Sequence, residues 1–194
     1  MIKKYIPNRY KRVVVLLTNN ILQSIFYYVK DSHFFDKRIA NRLTTIIFVC
    51  KGNVCRSAFA EIRLTNLLQD DNVKVDSCGL NVDQGNYPPP DSIAVSSEYS
   101  CFLSNRKAKA LIECDIAGAD LILAMEYGQY RQLINLYPQK QSAIKLLRSF
   151  APLPYSLFCN IADPYGWGRD EFRKSFRLID RALQKLVRLS SSPH

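Results

Sequence analysis

Cys50 and Arg56, six positions apart, supply a sulfur nucleophile and a rigid cationic fork. They bracket Lys51-Gly52-Asn53-Val54-Cys55, and Ser57 follows directly. Ahead of the cysteine, Ile46-Ile47-Phe48-Val49 is a short apolar, β-branched run that reads as a buried strand. Lys51-Gly52-Asn53 breaks that run with residues that tolerate the positive φ of a tight turn. From Ser57 onward, Ala58-Phe59-Ala60-Glu61-Ile62-Arg63-Leu64 has helical composition. A strand, a small loop and a helix N-terminus aim backbone N–H groups and the positive end of a helix dipole at one point, which makes an anion site. A thiol on the floor of such a site is expected to ionise more readily than a free one. A phosphate monoester dianion suits it. Amides 51–56 would donate to its oxygens, the Arg56 fork would add a bidentate contact, and the Cys50 sulfur would lie behind phosphorus for in-line attack.

The remaining composition narrows the chemistry. The only histidines are His33 and His194. That leaves little room for a histidine-built zinc site, a Cys–His pair or a Ser-His-Asp triad, so a catalytic cysteine needs another activator. The six cysteines, at 50, 55, 78, 101, 114 and 159, lack C-x-x-C pairs and the density of a disulfide scaffold. They fit a reducing cytoplasm, with Cys78, Cys101, Cys114 and Cys159 read as structural. The net charge of +10 is unevenly spread. Residues 1–44 hold nine Lys/Arg against two Asp, and residues 45–194 hold eighteen against fifteen Asp/Glu, so an acidic partner would meet the first segment. The run Arg106-Lys107-x-Lys109 reads as a solvated face, and no nucleic-acid partner is expected.

The elements that must position the loop follow from periodicity. Residues 1–44 form a basic extension before a domain of residues 45–194. Within it, Val13–Val29 has helical spacing, but Thr18, Asn19, Asn20, Gln23 and Ser24 make it too short and polar to span a bilayer. Two roles are open. The helix either packs on the domain or another copy, or makes peripheral contact with an anionic membrane or a protein partner. Asp31–Arg42 reads as a linker or a second short helix. Strands are predicted at Thr45–Cys50, Val73–Ser77, Ala119–Met125 and Ala143–Leu147. Helices are predicted at Ser57–Gln69, Ser92–Ser97, from Lys107–Leu111, Gly128–Leu136 and Asp170–Leu189. Alternating strands and helices imply an α/β fold: a three-layer sandwich with a mostly four-stranded parallel sheet flanked by helices on both faces.

Val49-Cys50-Lys51-Gly52-Asn53-Val54-Cys55-Arg56-Ser57 closely resembles the phosphate-binding loop of the low-molecular-weight protein tyrosine phosphatases, V-C-x-G-N-x-C-R-S. A second signature of that family, Asp-Pro-Tyr, is met by Asp163-Pro164-Tyr165. Weaker likeness lies at Asp76-Ser77-Cys78-Gly79, at Leu103-Ser104-Asn105-Arg106-Lys107-Ala108, and at Ala119-Asp120-Leu121-Ile122-Leu123-Ala124-Met125. The resemblance covers about residues 45–189 and implies the phosphotyrosine phosphatase I-like sandwich and phosphotyrosine hydrolysis without cofactor or metal. By the same resemblance Cys50 is the nucleophile and passes through a phosphocysteine. Arg56 binds phosphate, and Asp163 is the general acid and then the base. Lys51, Gly52, Asn53, Val54, Cys55 and Ser57 complete the phosphate site. Ser77 supports the loop through Asn53 and Tyr165 lines the mouth; Cys55 is either placed for a reversible disulfide with Cys50 or is only a buried small residue. The implied partner is a phosphotyrosine protein such as a tyrosine kinase, in the cytoplasm or peripheral to the membrane.

Departures from the pattern bear on substrate choice. Ala58 stands where proline is common, Arg106 where histidine is common, and Cys78 replaces alanine. The segment 80–91 lacks the usual wall tryptophan, leaving Tyr87 or Val82, and Gly166 replaces a second tyrosine. Trp167 either flanks the pocket or anchors the last helix. Two other functions share the loop. A thiol-dependent arsenate reductase would need further cysteines to relay a disulfide, and a docked phosphopeptide-binding module would need only the anion site.

Overall fold

The computed structural model describes residues 8–31, 43–68, 72–82 and 86–190. Its centre is β1 (Thr45–Cys50), in which Ile46 through Cys50 are all buried. The strand is apolar on both faces because both faces are covered, as in other parallel sheets. β2 (Lys74–Gly79) pairs along one edge of β1 and β3 (Leu121–Ala124) along the other, with β4 (Ile144–Leu146) outside β3. All pairings are parallel, and Val49 lies between Cys78 and Ala124. The chain therefore leaves β1 toward one side and later returns on the other. The loops at the carboxyl end of β1 diverge there and open a crevice, which is where ligands bind in sheets of this kind.

Side-chain alternation divides the core. Ile46, Phe48 and Cys50 face α2 (Arg56–Leu68), α3 (Pro90–Ser97) and α5 (Arg169–Ser190). Phe59 of α2 stacks on Phe176 of α5 with ring centroids 4.0 Å apart, joining the two longest helices of this layer. Ile47 and Val49 face α4 (Tyr127–Leu136) on the other side. α3 begins earlier than its sequence pattern predicts because Pro90 suits the first helical turn, where no N–H bond is lost.

α1 runs over Asn8–Phe26 and ends in a wider turn at Tyr27–Asp31. Its inner face carries Ser24 and Tyr27, both buried, and Tyr27 joins the same core cluster as Ile47, Ile122 and Tyr130. No described helix is long and apolar enough to cross a membrane. The predicted linker at Asp31–Arg42 falls almost entirely outside the described residues.

One predicted helix is corrected. Residues from Lys107 do not wind into a helix, and only Leu111–Glu113 forms a short 3₁₀ turn. Lys109 gives its N–H to Asn53 Oδ1 at 2.8 Å and its C=O to the N–H of Gly79 at 2.9 Å. Both backbone groups that a helix would use are thus taken by the loop and by β2.

Candidate active site

Cys50 ends β1, and the turn after it is held by backbone bonds from the strand beside it. Leu80 N–H donates to Cys50 O at 3.0 Å, and Asn81 N–H to Lys51 O at 2.8 Å. Gly79 permits this close approach. A Cβ there would lie 2.8 Å from Lys51 O and 3.0 Å from the Asn53 nitrogen, well inside ordinary contact.

Asn53 takes φ +52°, a conformation that costs most side chains about 1–2 kcal/mol. Its buried amide repays that through four bonds. Nδ2 donates to Ser57 Oγ at 2.9 Å and to Ser77 Oγ at 2.7 Å. Oδ1 accepts from Lys109 N–H at 2.8 Å and from Arg106 at 3.0 Å. The Asn53 N–H in turn lies 3.2 Å from Cys50 Sγ, and Ser57 Oγ lies 2.9 Å from it. The sulfur is thus tied to the loop backbone and to the first turn of the helix that follows. Arg106 is therefore not part of a solvated face. It also donates to Ser77 Oγ at 2.8 Å and pairs with Glu61, leaving only Lys107 of that run exposed without such a role.

Arg56 opens α2 and is 1% exposed. One terminal nitrogen donates to Ile161 O at 2.9 Å and meets Glu126 at 3.0 Å, while the other meets Asp163 at 2.8 Å. Burial works against its charge, yet the facing groups of Glu126, Cys50 and Asp163 prevail and hold its pKa above the ordinary value. Its Nε is buried with no acceptor in the protein. Burial likewise pushes the Cys55 thiol up to about 12, with Asp163 and Cys50 adding to the effect, so Cys55 stays protonated at neutral pH.

A cleft of about 510 Å³ opens over these groups. Cys50, Gly52, Val54, Cys55 and Arg56 form its floor and walls. Asp163, Tyr87, Tyr165 and Trp167 stand at its mouth, each aromatic at least half exposed. Tyr87 lines the wall and Val82 does not, and Trp167 faces the cleft. Cys50, Lys51, Gly52, Val54, Cys55, Arg56, Asp163 and Tyr165 thus all meet at one cleft, with Asn53, Ser57 and Ser77 buried behind it. Cys78, Cys101, Cys114 and Cys159 are buried away from it. Among the described residues no cluster of His, Cys, Asp and Glu has the form of a metal site.

The chain that carries this cleft is similar to known proteins. The family described as "Low molecular weight phosphotyrosine protein phosphatase" matches residues 45–191. The chain belongs to that family. Its relatives include the low molecular weight protein-tyrosine-phosphatase Wzb of Escherichia coli K12, 30% identical over 140 residues that span 72% of this chain and 90% of Wzb. Among solved structures, the Erwinia amylovora tyrosine phosphatase amsI superposes with a TM-score of 0.68 at 28% identity, over 77% of this chain and 95% of its own. The YwlE arginine phosphatase of Geobacillus stearothermophilus gives 0.67 at 25% identity, over 78% and 99%. The chain is thus a protein-tyrosine-phosphatase by family and fold.

Three features of this phosphatase escape a reading of its sequence. Glu126, which meets Arg56, sits just past β3 and before α4, a position that only the β1–β3 pairing brings to the loop. Arg106 reaches Asn53 and Ser77 from a segment that is remote in sequence. Finally, the extension holds the strand of chain that leads to Asp163. Ser24 Oγ accepts from Cys159 N–H at 2.9 Å, and Gln23 Oε1 accepts from Asn160 Nδ2 at 2.7 Å. Asn160 Oδ1 accepts from Tyr127 N–H at 2.6 Å, and the next residue supplies the Ile161 carbonyl to Arg56. The polar interruptions in α1 are the only sequence signal of this docking.

Proposed function

We propose that this phosphatase hydrolyses phosphotyrosine through a phosphocysteine, with Cys50 as nucleophile, Arg56 as phosphate ligand and Asp163 as acid and base. The buried, unpartnered Nε of Arg56 carries the proposal. A guanidinium edge with one free donor, and a second shared with Asp163, is the fork that a phosphate oxygen pair occupies. Phosphate seated there takes over the donor that Asp163 uses, and leaves the carboxyl beside the departing oxygen. The Cys50 sulfur attacks phosphorus as the P–O(aryl) bond breaks, and the Asp163 proton passes to the phenolate oxygen. Asp163 then takes a proton from water as its oxygen attacks phosphorus, the S–P bond breaks, and the thiolate returns to its donors at Asn53 and Ser57. The loop amides of Lys51, Gly52, Val54 and Cys55 and the Arg56 fork stabilise the equatorial charge throughout. Ser77 and Asn53 support the loop, and Tyr165 stacks on the aryl ring.

Substrate class follows from the walls. Val54 is apolar, and Tyr87, Tyr165 and Trp167 present ring faces at the mouth, which suits an aryl phosphate. Phosphoarginine, the substrate class named for YwlE, would place a polar guanidinium against Val54. The absence of Cys78, Cys101, Cys114 and Cys159 from the cleft disfavours an arsenate reductase relay. Asp163 over the loop disfavours a pure binding module. The physiological substrate is a phosphotyrosine protein, with a tyrosine kinase as one such partner. Peripheral contact with an anionic membrane is supported by Lys3, Lys4, Arg9, Lys11 and Arg12, and by an outward row of Leu17, Ile21, Leu22, Ile25 and Val29. Sedimentation with anionic and neutral vesicles tests it, and equal sedimentation would remove it.

The deciding assay is hydrolysis of a phosphotyrosine peptide in the presence of a chelator. Cys50→Ser is expected to abolish turnover, and Asp163→Asn to lower kcat about 10²- to 10⁴-fold. Faster turnover of phosphoarginine than of phosphotyrosine would replace the substrate assignment. A fully reduced wild type that hydrolyses neither would overturn the reading.

A further inference from the structure

A second cleft, of about 700 Å³, adjoins the phosphate cleft and shares Lys51 and Asn81 with it. Its volume falls in the range of about 300–1,000 Å³ typical of ligand sites, but its lining does not resemble a small-molecule pocket. Leu80 is the one large apolar residue on its walls. Amides dominate instead: Gln23, Asn81, Gln132 and Asn160, with Glu126 at the edge nearest Arg56. An amide side chain offers a donor and an acceptor together, the pair that an extended peptide presents at each residue. Some of these groups are already fixed. Asn160 is held between Tyr127 N–H and Gln23, and Gln23, with its Oε1 taken by Asn160, keeps its Nε2 as a donor.

We infer that this amide-lined cleft is a substrate subsite, which takes the main chain of the phosphoprotein next to the phosphorylated tyrosine. The inference rests on the phosphotyrosine reading above and adds where the rest of the substrate goes. A tyrosine phosphate seated on the Cys50 loop has its own main chain at the rim, and Lys51 and Asn81 form the threshold from that rim into the second cleft. The lining includes Gln23, which lies outside the family match at residues 45–191. The extension therefore contributes a substrate-binding residue that the family domain alone does not contain, and it does so from a helix anchored at Ser24 and Tyr27. Lining by polar, hydrogen-bonding groups makes the subsite a reader of peptide backbone more than of particular side chains.

The test compares three substrates on the full chain: p-nitrophenyl phosphate, free phosphotyrosine, and a peptide with residues on both sides of its phosphotyrosine. The variants are Gln132→Ala, an exposed position on α4, and Gln23→Ala. Each is expected to lower the ratio of peptide to free phosphotyrosine kcat/KM about fivefold, with the change in KM, as one hydrogen bond removed predicts. Free phosphotyrosine has the same phenolate leaving group as the peptide, so this ratio cancels a disturbance of the chemistry, including one transmitted from Gln23 through Asn160 to Asp163. An unchanged ratio in both variants overturns the subsite, as does a wild type that prefers the peptide no more than free phosphotyrosine. A wild type that cleaves none of the three overturns the phosphatase reading and the subsite with it, so the two failures are distinguishable.

Discussion

Replacing Tyr27 measures how far the extension is part of the folded body. The side chain is 2% exposed and meets the Tyr130 ring edge-on at 5.3 Å. Its hydroxyl accepts from Leu146 N–H, in the edge strand β4, at 3.3 Å. Removing a buried aromatic side chain costs about 3–5 kcal/mol through lost burial and the cavity that remains. Removing only the hydroxyl, as in Tyr27→Phe, costs about 1 kcal/mol. Tyr27→Ala is therefore expected to lower the unfolding free energy in a urea titration by about 3–5 kcal/mol, and Tm by roughly 10 °C for a chain of this size. The order wild type, Phe, Ala should hold in both measurements. A loss under about 0.5 kcal/mol in Tyr27→Ala, the range of an ordinary surface substitution, would refute the packing account. It would also detach Ser24 and Gln23 from Cys159 and Asn160, and with them the support that reaches Asp163.

Asn53→Ala should cost about 3–5 kcal/mol in the same titration, since four hydrogen bonds of about 1 kcal/mol each are lost and a Cβ remains at φ +52°. Asn53→Gly should recover about 1 kcal/mol of that, because it removes the strain and not the bonds, and equal losses would show that conformation is not a factor. Gly79→Ala forces Lys51 and the Asn53 nitrogen away from β2. A displacement of about 1 Å at the loop is expected to lower kcat on the order of 10²-fold, and an active Gly79→Ala enzyme would refute the close-approach argument. Alkaline stability reports on Cys55. Its folded pKa, about 12, lies above the ordinary 9.0, so the folded state holds the proton more tightly. That contribution is complete below about pH 9 and is lost as pH rises toward 12. Between about pH 8 and pH 11, unfolding free energy should fall more steeply in the wild type than in Cys55→Ala, and parallel curves would remove Cys55 as a cause.

Local patterns carried much of this protein without any coordinates. The strand, loop and helix around Cys50 were legible because each is set by neighbours in sequence: an apolar run, then residues that tolerate positive φ, then a helix former. The four parallel strands emerged from the same kind of signal, since a strand buried on both faces is uniformly apolar. Asp163 was legible only through its Asp-Pro-Tyr signature, because nothing in its surroundings in sequence marks a carboxylate that will meet Arg56. What sequence patterns misassigned, contacts between distant segments had decided. The stretch from Lys107 has helical composition, yet Asn53 and Gly79 claim the backbone groups of Lys109, and a hydrogen bond to a fixed partner outweighs a weak propensity. Arg106 looked like one of several surface cations until the fold set Asn53, Ser77 and Glu61 around it.

The extension shows the division most plainly. Its helix, its basic charge and its inability to span a bilayer are properties of its own residues, and the sequence alone determines them. Which face of that helix turns inward, and against what, depends on surfaces more than a hundred residues away. Tertiary structure alone decided that Ser24 and Gln23 would hold Cys159 and Asn160, because a polar interruption in an apolar pattern states a need for a partner and cannot name one.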